Sequence, residues 1–123
     1  MLILFWTARI LRAHFVRDFL DTAMTGIDAV LLPAIPFPVP TIEETDVEQS
    51  GGPATLDMVT RFTGLTRPFN TLGLPVLSVP CGFDSNGAPI GLQIVGRAYE
   101  EALLYRIGHA YQGATDHHKK VPG

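Results

Sequence analysis

Two β-rich apolar runs, Val76–Gly82 and Ile90–Gly96, stand on either side of a turn-forming segment centred on Asn86-Gly87. Asn-Gly between such runs is the strongest short-range signal for a β-hairpin, since both residues tolerate the positive φ of a type I′ turn. The pair predicts a hairpin with that turn. Pro80 lies near the end of the first run, where a missing N–H implies an edge position, a bulge or a strand terminus. The second run, Ile-Gly-Leu-Gln-Ile-Val-Gly, carries Gln93 as its one long polar side chain. Both strands read as buried on both faces, so other elements must cover them.

Upstream, Leu11, Phe15, Val16, Phe19, Leu20 and Ala23 recur at intervals of three and four, with Arg9, Arg12, Arg17, Asp18 and Asp21 largely elsewhere on the wheel. The spacing predicts an amphipathic helix over 8–24, stopped at Gly26 because glycine accepts the left-handed conformation that ends helices. The short run Ala29-Val30-Leu31-Leu32 predicts a strand buried on both faces. Residues 33–40, PAIPFPVP, predict an extended loop, because each proline fixes φ and removes a backbone donor. The acidic stretch 41–53 has no hydrophobic period and is expected to be exposed or mobile. In 54–69, Leu56, Met58, Val59 and Phe62 can line one side of a short helix interrupted by Gly64 and Pro68. Finally 100–112 predicts a helix with Leu103, Leu104, Ile107 and Tyr111 on its apolar stripe and Gly113 as its stop, followed by a polar tail over 114–123. The fold class is α/β, in one domain over 1–123.

Composition narrows the function classes. With 46% hydrophobic residues and a formal charge of −3, the chain lacks the basic footprint of a nucleic-acid binder. The apolar start MLILFW is too short and too soon followed by Arg9 and Arg12 for a signal peptide or membrane span. A single cysteine, Cys81, excludes an internal disulfide and suits a reducing cytoplasm. No metal-ligand spacing and no phosphate-binding glycine loop occurs, so no metal or cofactor is expected.

No nucleophilic constellation stands out either. Ser78, inside an apolar strand, reads as a core hydroxyl, and Cys81 as a buried, inert thiol. His109 falls on the polar side of the last helix and His117-His118 on a frayed tail, which suits solvated side chains better than metal ligands. Asp84 and Asn86 read as turn formers.

The segment TRPFNTLGLP over 66–75, followed by LSVPCGFDSNGAPIGLQIVGR, closely resembles the C-terminal portion of the amidase signature family. That family shows T-x-P-x-N-x-x-G-L-P, then S-V-P-C-G, then a G-x-P-x-G-L-Q return. The resemblance extends more weakly to DAVLLPAIPFPVP and to the helix EEALLYRIGHAYQ, covering about four fifths of the chain. It implies an α/β/α fold whose mixed sheet contains a late hairpin flanked by helices. It also implies hydrolysis of carboxylic amides through a Ser-cisSer-Lys triad, in which an adjacent base activates a hydroxyl that is weak at its free pKa.

Those catalytic elements are absent here. There is no Gly-Gly-Ser-Ser-Gly-Gly run, and neither Lys119 nor Lys120 lies in a matching motif. The chain therefore resembles the last quarter or so of an amidase, inactive alone. Its start is unlike the family at that point, as a truncated gene, a mis-set start codon or an artificial shortening would leave it. By the resemblance, this region shapes the acyl pocket, with Phe62, Thr63 and Thr66 as candidate substrate-binding residues and the 36–40 loop nearby. A small amide would be a partner only of the intact enzyme, and the isolated chain is expected to self-associate through exposed sheet edges. Within the family, amidotransferase components of the A type tend to carry an acid shortly before T-x-P-x-N. Arg61–Leu65 reads RFTGL, so a general amidase is preferred, and the alternative within the family is a segment of a glutamyl-tRNA amidotransferase A-type subunit. The rival from another class is a non-catalytic interaction domain.

Overall fold

The computed structural model describes the backbone of residues 2–46 and 53–120, and the side chains of residues 6–46 and 57–120. The hairpin is present: strand β2, Val76–Phe83, pairs antiparallel with β3, Pro89–Val95, from Val76 opposite Val95 to Phe83 opposite Pro89. Register slips between Pro80 and Gly82, so the proline falls at an irregularity of an outer strand, where its lost N–H is tolerated.

The turn is not type I′. Gly87 has φ +82°, whereas Asn86 is not in the positive-φ region. The cause is Asp84, whose Oδ1 accepts from Asn86 N at 2.8 Å and Ala88 N at 2.9 Å. Gly87 N closes on Asp84 O at 3.1 Å and Asp84 N on Ala88 O at 2.9 Å. A carboxylate that captures the turn amides selects a longer loop with one left-handed residue, and that residue is the glycine.

The third strand, β1, Val30–Pro33, pairs antiparallel with the other side of β3, giving the order β1-β3-β2. β3 is therefore central, and Gln93, Ile94 and Val95 are buried. Within this chain β1 is an outer strand, so the expectation of burial on both faces fails: Leu31 is 56% exposed. Leu31 lies on the face covered by the last helix, which packs over β2 and β3 and leaves β1 open.

Both faces of β3 find cover, whereas on β2 the face that carries Val76 and Ser78 stays exposed, so the expectation of burial on both faces holds for one strand of the hairpin and fails for the other. On one face of the sheet, Val79 and Ile94 pack against Leu104 of the last helix, with Leu77, Leu92, Ile107 and Tyr111 around them. At Gly108 a Cβ would stand 2.5 Å from Leu77 Cδ2, so the glycine sets how closely helix and strand approach. On the other face, Phe69, Leu74 and Val95 form a second cluster joined by Phe19, Val30, Leu32 and Leu72. Phe19 meets Phe69 edge-on, with ring centroids 5.8 Å apart. The result is helix, sheet, helix in three layers, the arrangement that follows when a sheet has two apolar faces.

Helix α1, Leu2–Ala23, supplies Phe19, and the chain turns at Gly26 with φ +75°. Its apolar stripe is only partly used. Val16, Phe19 and Leu20 are half-buried, but Trp6, Ile10, Leu11 and Phe15 are each more than half exposed. Two arginines fix the helix to the body: Arg12 Nη2 donates to Leu72 O at 3.3 Å, and Arg97 Nη2 to Met24 O at 2.7 Å. The second bond places a cation at the carbonyl end of α1, where the helix dipole favours it.

Four further α-helical segments lie among the described residues. They are α2, Ile42–Thr45; α3, Pro53–Phe62; α4, Arg67–Leu72; and α5, Glu101–Ala114, the last helix already met. Pro68 does not break a helix but sits in the first turn of α4, where a missing N–H costs nothing. Gly113 does not stop α5, which runs one residue further, with Thr115 Oγ1 donating to Tyr111 O at 3.0 Å. Nor is the tail frayed as far as Lys120. His117–Lys119 form a 3₁₀ turn in contact with β2, and Lys120 Nζ lies 5.5 Å from the centre of the Phe83 ring.

Replacing Arg97 by Met removes a charge-assisted bond from the end of α1. We expect a loss of about 1–3 kcal/mol in urea denaturation. Arg106→Met, on an exposed position of α5, should change stability by less than about 0.5 kcal/mol.

Candidate functional site

The prolines at 33, 36, 38 and 40 carry the chain away from β1 without regular secondary structure. Thr41 then starts α2 with a reciprocal cap: Glu44 N donates to Thr41 Oγ1 at 3.2 Å, and Thr41 N to Glu44 Oε2 at 2.8 Å. The start of the acidic stretch thus has local order that hydrophobic periodicity does not register. Residues 47–52 of that stretch lie outside the described residues.

Between α3 and α4 the chain makes a tight turn, with Arg67 N donating to Thr63 O at 2.8 Å. Thr63 Oγ1 donates to Val59 O at 2.7 Å and accepts from Arg67 Nη2 at 2.6 Å. Thr66 Oγ1 donates to Thr63 O at 3.3 Å.

One side chain joins this turn to the proline-rich loop. Gln93, 3% exposed in the middle of β3, donates from Nε2 to Pro33 O at 3.0 Å and to Leu65 O at 3.3 Å. Its amide holds the starts of both segments against the sheet.

The two segments enclose a cleft of about 660 Å³. Phe37–Pro40 form one wall, Met58, Arg61 and Phe62 of α3 the other, and Thr41, Glu44 and Asn86 close the rim. Phe37 and Phe62 meet edge-on with centroids 4.9 Å apart, and the Arg61 guanidinium lies 5.1 Å from the Phe37 ring centre. The cleft is thus apolar in the body with one guanidinium and one carboxylate on its lining.

Of the three residues expected at a substrate site, the cleft brings in Phe62 together with the 36–40 loop. Thr63 and Thr66 do not line it; they are half-buried and their hydroxyls serve the turn. Sequence reasoning missed Arg61, Glu44 and Asn86 as neighbours, because only the fold brings the hairpin turn and α2 beside α3. Gln93 did carry a signal, as the lone long polar residue in an apolar strand.

Neither tempting nucleophile is a core group. Ser78 is exposed on the outer strand β2, and Cys81 is a half-buried free thiol. The reading of Ser78 as a core hydroxyl fails because β2 is not flanked by another strand here. Among the described residues no group of three or more His, Cys, Asp or Glu could hold a metal ion. No described helix is long and apolar enough to cross a membrane.

A family model described as Amidase matches residues 3–105. The chain belongs to the amidase family. The A subunit of glutamyl-tRNA(Gln) amidotransferase from Bacillus licheniformis is 39% identical over 117 residues, 94% of this chain and 22% of that protein. The protein of the same name from Oceanobacillus iheyensis is 38% identical over equal shares. Among solved structures, 6-aminohexanoate cyclic dimer hydrolase superposes with a TM-score of 0.75 at 26% identity, over 90% of this chain and 24% of that one. A crystal structure of an amidase gives 0.64 at 35% identity, over 80% and 22%.

The resemblance drawn from the T-x-P-x-N, S-V-P-C-G and G-L-Q motifs is thereby borne out, and with it the α/β fold class. This amidase-family chain spans about a fifth of the length of the curated relatives it matches. It is a segment of an amidase-signature protein, and those relatives carry the name of the within-family alternative rather than that of a general amidase.

Gln93→Leu should leave the carbonyls of Pro33 and Leu65 without their buried donor. We expect a cost of about 1–3 kcal/mol in chemical denaturation, with faster amide hydrogen exchange at Thr66 and Arg67 than in β3.

Proposed function

We propose that this chain forms the C-terminal part of an amide-hydrolysing enzyme, building one wall of the acyl pocket, while the nucleophile and its base come from sequence outside it. The observation carrying this reading is the match over residues 3–105 to a family whose curated relatives extend far beyond it, the chain covering 22% of the one from Bacillus licheniformis. The chain has three serines and two lysines, and none of them stands in the glycine-rich serine motif or the lysine motif of the family. Phe62 and the 36–40 loop supply the apolar surface that an acyl group needs, and Thr63 and Thr66 shape that wall through the turn they stabilise.

Two parents fit. The RFTGL segment over 61–65, without an acid, favours a general amidase; the relatives named for the amidotransferase favour a component of that enzyme. The near-neutral charge and single cysteine support a cytoplasmic protein without nucleic-acid contacts of its own. No cofactor is needed for the proposed chemistry.

A chimera tests the proposal, with this chain replacing the matching segment of the Bacillus licheniformis protein. The isolated chain should not hydrolyse glutamine or an aryl amide above buffer, whereas the chimera should hydrolyse one of them, and which one identifies the parent. In the active chimera Phe62→Ala should raise KM about tenfold with kcat within about twofold, the signature of lost uniform binding. Hydrolysis by the isolated chain that disappears in Ser78→Ala or Cys81→Ala would overturn the division of labour.

We also propose that the isolated chain self-associates. Leu31 on one outer strand, Val76 on the other, and Trp6 and Ile10 on α1 are all exposed, and unpaired strand edges template association. Size-exclusion chromatography should show apparent mass rising with concentration; a monomer throughout the range counts against it.

A further inference from the structure

The geometry points to Arg61 as a specificity-determining residue that selects amides whose flat, apolar acyl group ends in a carboxylate. This inference rests on the reading of the cleft as an acyl pocket and adds the chemical class that the pocket takes.

Three observations carry it. First, Arg61 and Glu44 are the two charged residues on the cleft lining, Arg61 in the wall beside Phe62 and Glu44 on the rim. Glu44 is engaged, because its Oε2 accepts the Thr41 amide in the cap of α2. Second, the Arg61 guanidinium is placed over the Phe37 ring, 5.1 Å from its centre, and forms no ion pair or hydrogen bond among the described residues. A guanidinium over an aromatic face keeps N–H donors that the ring does not engage, and its planar fork suits a bidentate acceptor. Third, Phe37 stands edge-on to Phe62 at 4.9 Å, so the cation and the apolar wall form one continuous surface, Arg61 on Phe37 on Phe62.

A planar acyl group lying over the place where the two walls meet, at the Phe37–Phe62 contact, would bring a substituent at its far end to Arg61. A carboxylate there gains a charge-assisted, two-point contact with the exposed guanidinium, whereas a methyl group offers it no acceptor. A neutral polar substituent gains a weaker bond. The cleft volume of about 660 Å³ leaves room for a ring with substituents at both ends.

The test uses the full chain with two probes of matched shape, 4-carbamoylbenzoate and 4-methylbenzamide, titrated by NMR with the amides of Arg61, Phe62 and Asn86 as reporters. The anion should bind about tenfold more tightly. Arg61→Gln should bring the two probes to within about twofold of each other by weakening the anion alone, and Phe62→Ala should weaken both. If both probes bind and Phe62→Ala weakens them, but the anion has no advantage or keeps it in Arg61→Gln, the role of Arg61 is overturned and the acyl wall stands. If neither probe perturbs the cleft, the acyl-pocket reading fails and the inference falls with it. Circular dichroism of both variants against the parent chain separates lost binding from lost fold.

Discussion

The amide of Gln93 occupies the middle of the central strand, and two otherwise irregular segments hang from it. Burying such a group without partners costs several kcal/mol, so the fold around it must provide acceptors. It does so with Pro33 O at the mouth of the proline-rich loop and Leu65 O in the α3–α4 turn. Pro33 O stands at the last residue of β1, where the ladder ends, and Leu65 O in a turn that uses its other groups locally. Each side of the contact thus answers a shortage on the other. Gln93 is the one buried polar side chain among the described residues, and its neighbours Ile94 and Val95 are fully buried. Gln93 is therefore the side chain through which the central strand holds both the loop and the turn, beside the backbone bond from Ala34 N to Gly91 O at 2.8 Å.

Much of this architecture was legible in the sequence where local rules are strong. Apolar runs around Asn86-Gly87 announced the hairpin, Pro80 announced the irregularity in β2, and the three- and four-residue spacing announced α1 and α5. The failures share a cause, which is competition that a linear pattern does not display. Asp84 takes the turn amides that would otherwise close a type I′ loop. Pro68, written as an interruption, starts α4 because the turn before it has already left the helix. Thr41 and Glu44 cap each other in a stretch without hydrophobic period. Burial was the least legible quantity. The patterns of α1 and β1 call for apolar partners that this chain does not provide, so Leu11, Phe15 and Leu31 face outward despite sequences that read as buried.

The candidate site divides along the same line. Short motifs identified the family, because T-x-P-x-N, S-V-P-C-G and G-L-Q lie close together in sequence, on one hairpin and the helix before it. Phe62 lies close to those motifs in sequence and lines the cleft beside the 36–40 loop. Thr63 and Thr66 lie as close, yet their hydroxyls turn to the carbonyls of Val59 and Thr63. Small hydroxyl residues after a helix end compete for free carbonyls, and that local demand outweighs any distant ligand. Arg61, by contrast, carried no sequence signal as a lining residue of the cleft, since its position over Phe37 depends on a contact across it.

All walls of the cleft trace back to β3. The proline-rich loop is held at Pro33, which pairs with Leu92 and receives Gln93; the α3–α4 turn is held at Leu65; Asn86 belongs to the hairpin that β3 completes. A central strand buried on both faces has little freedom to shift, because sliding it by one residue would turn Ile94 and Gln93 to the wrong faces. The spacing between Phe37 and Phe62 is therefore set by the sheet more than by the one helix and the loop that display them. This explains how a segment with outer strands open and α1 partly exposed still presents a defined aromatic pair. Loss of order at the open edges of β1 or β2 need not reach the cleft, whereas loss of the Gln93 contacts must, since the loop and the turn would lose the bonds they share.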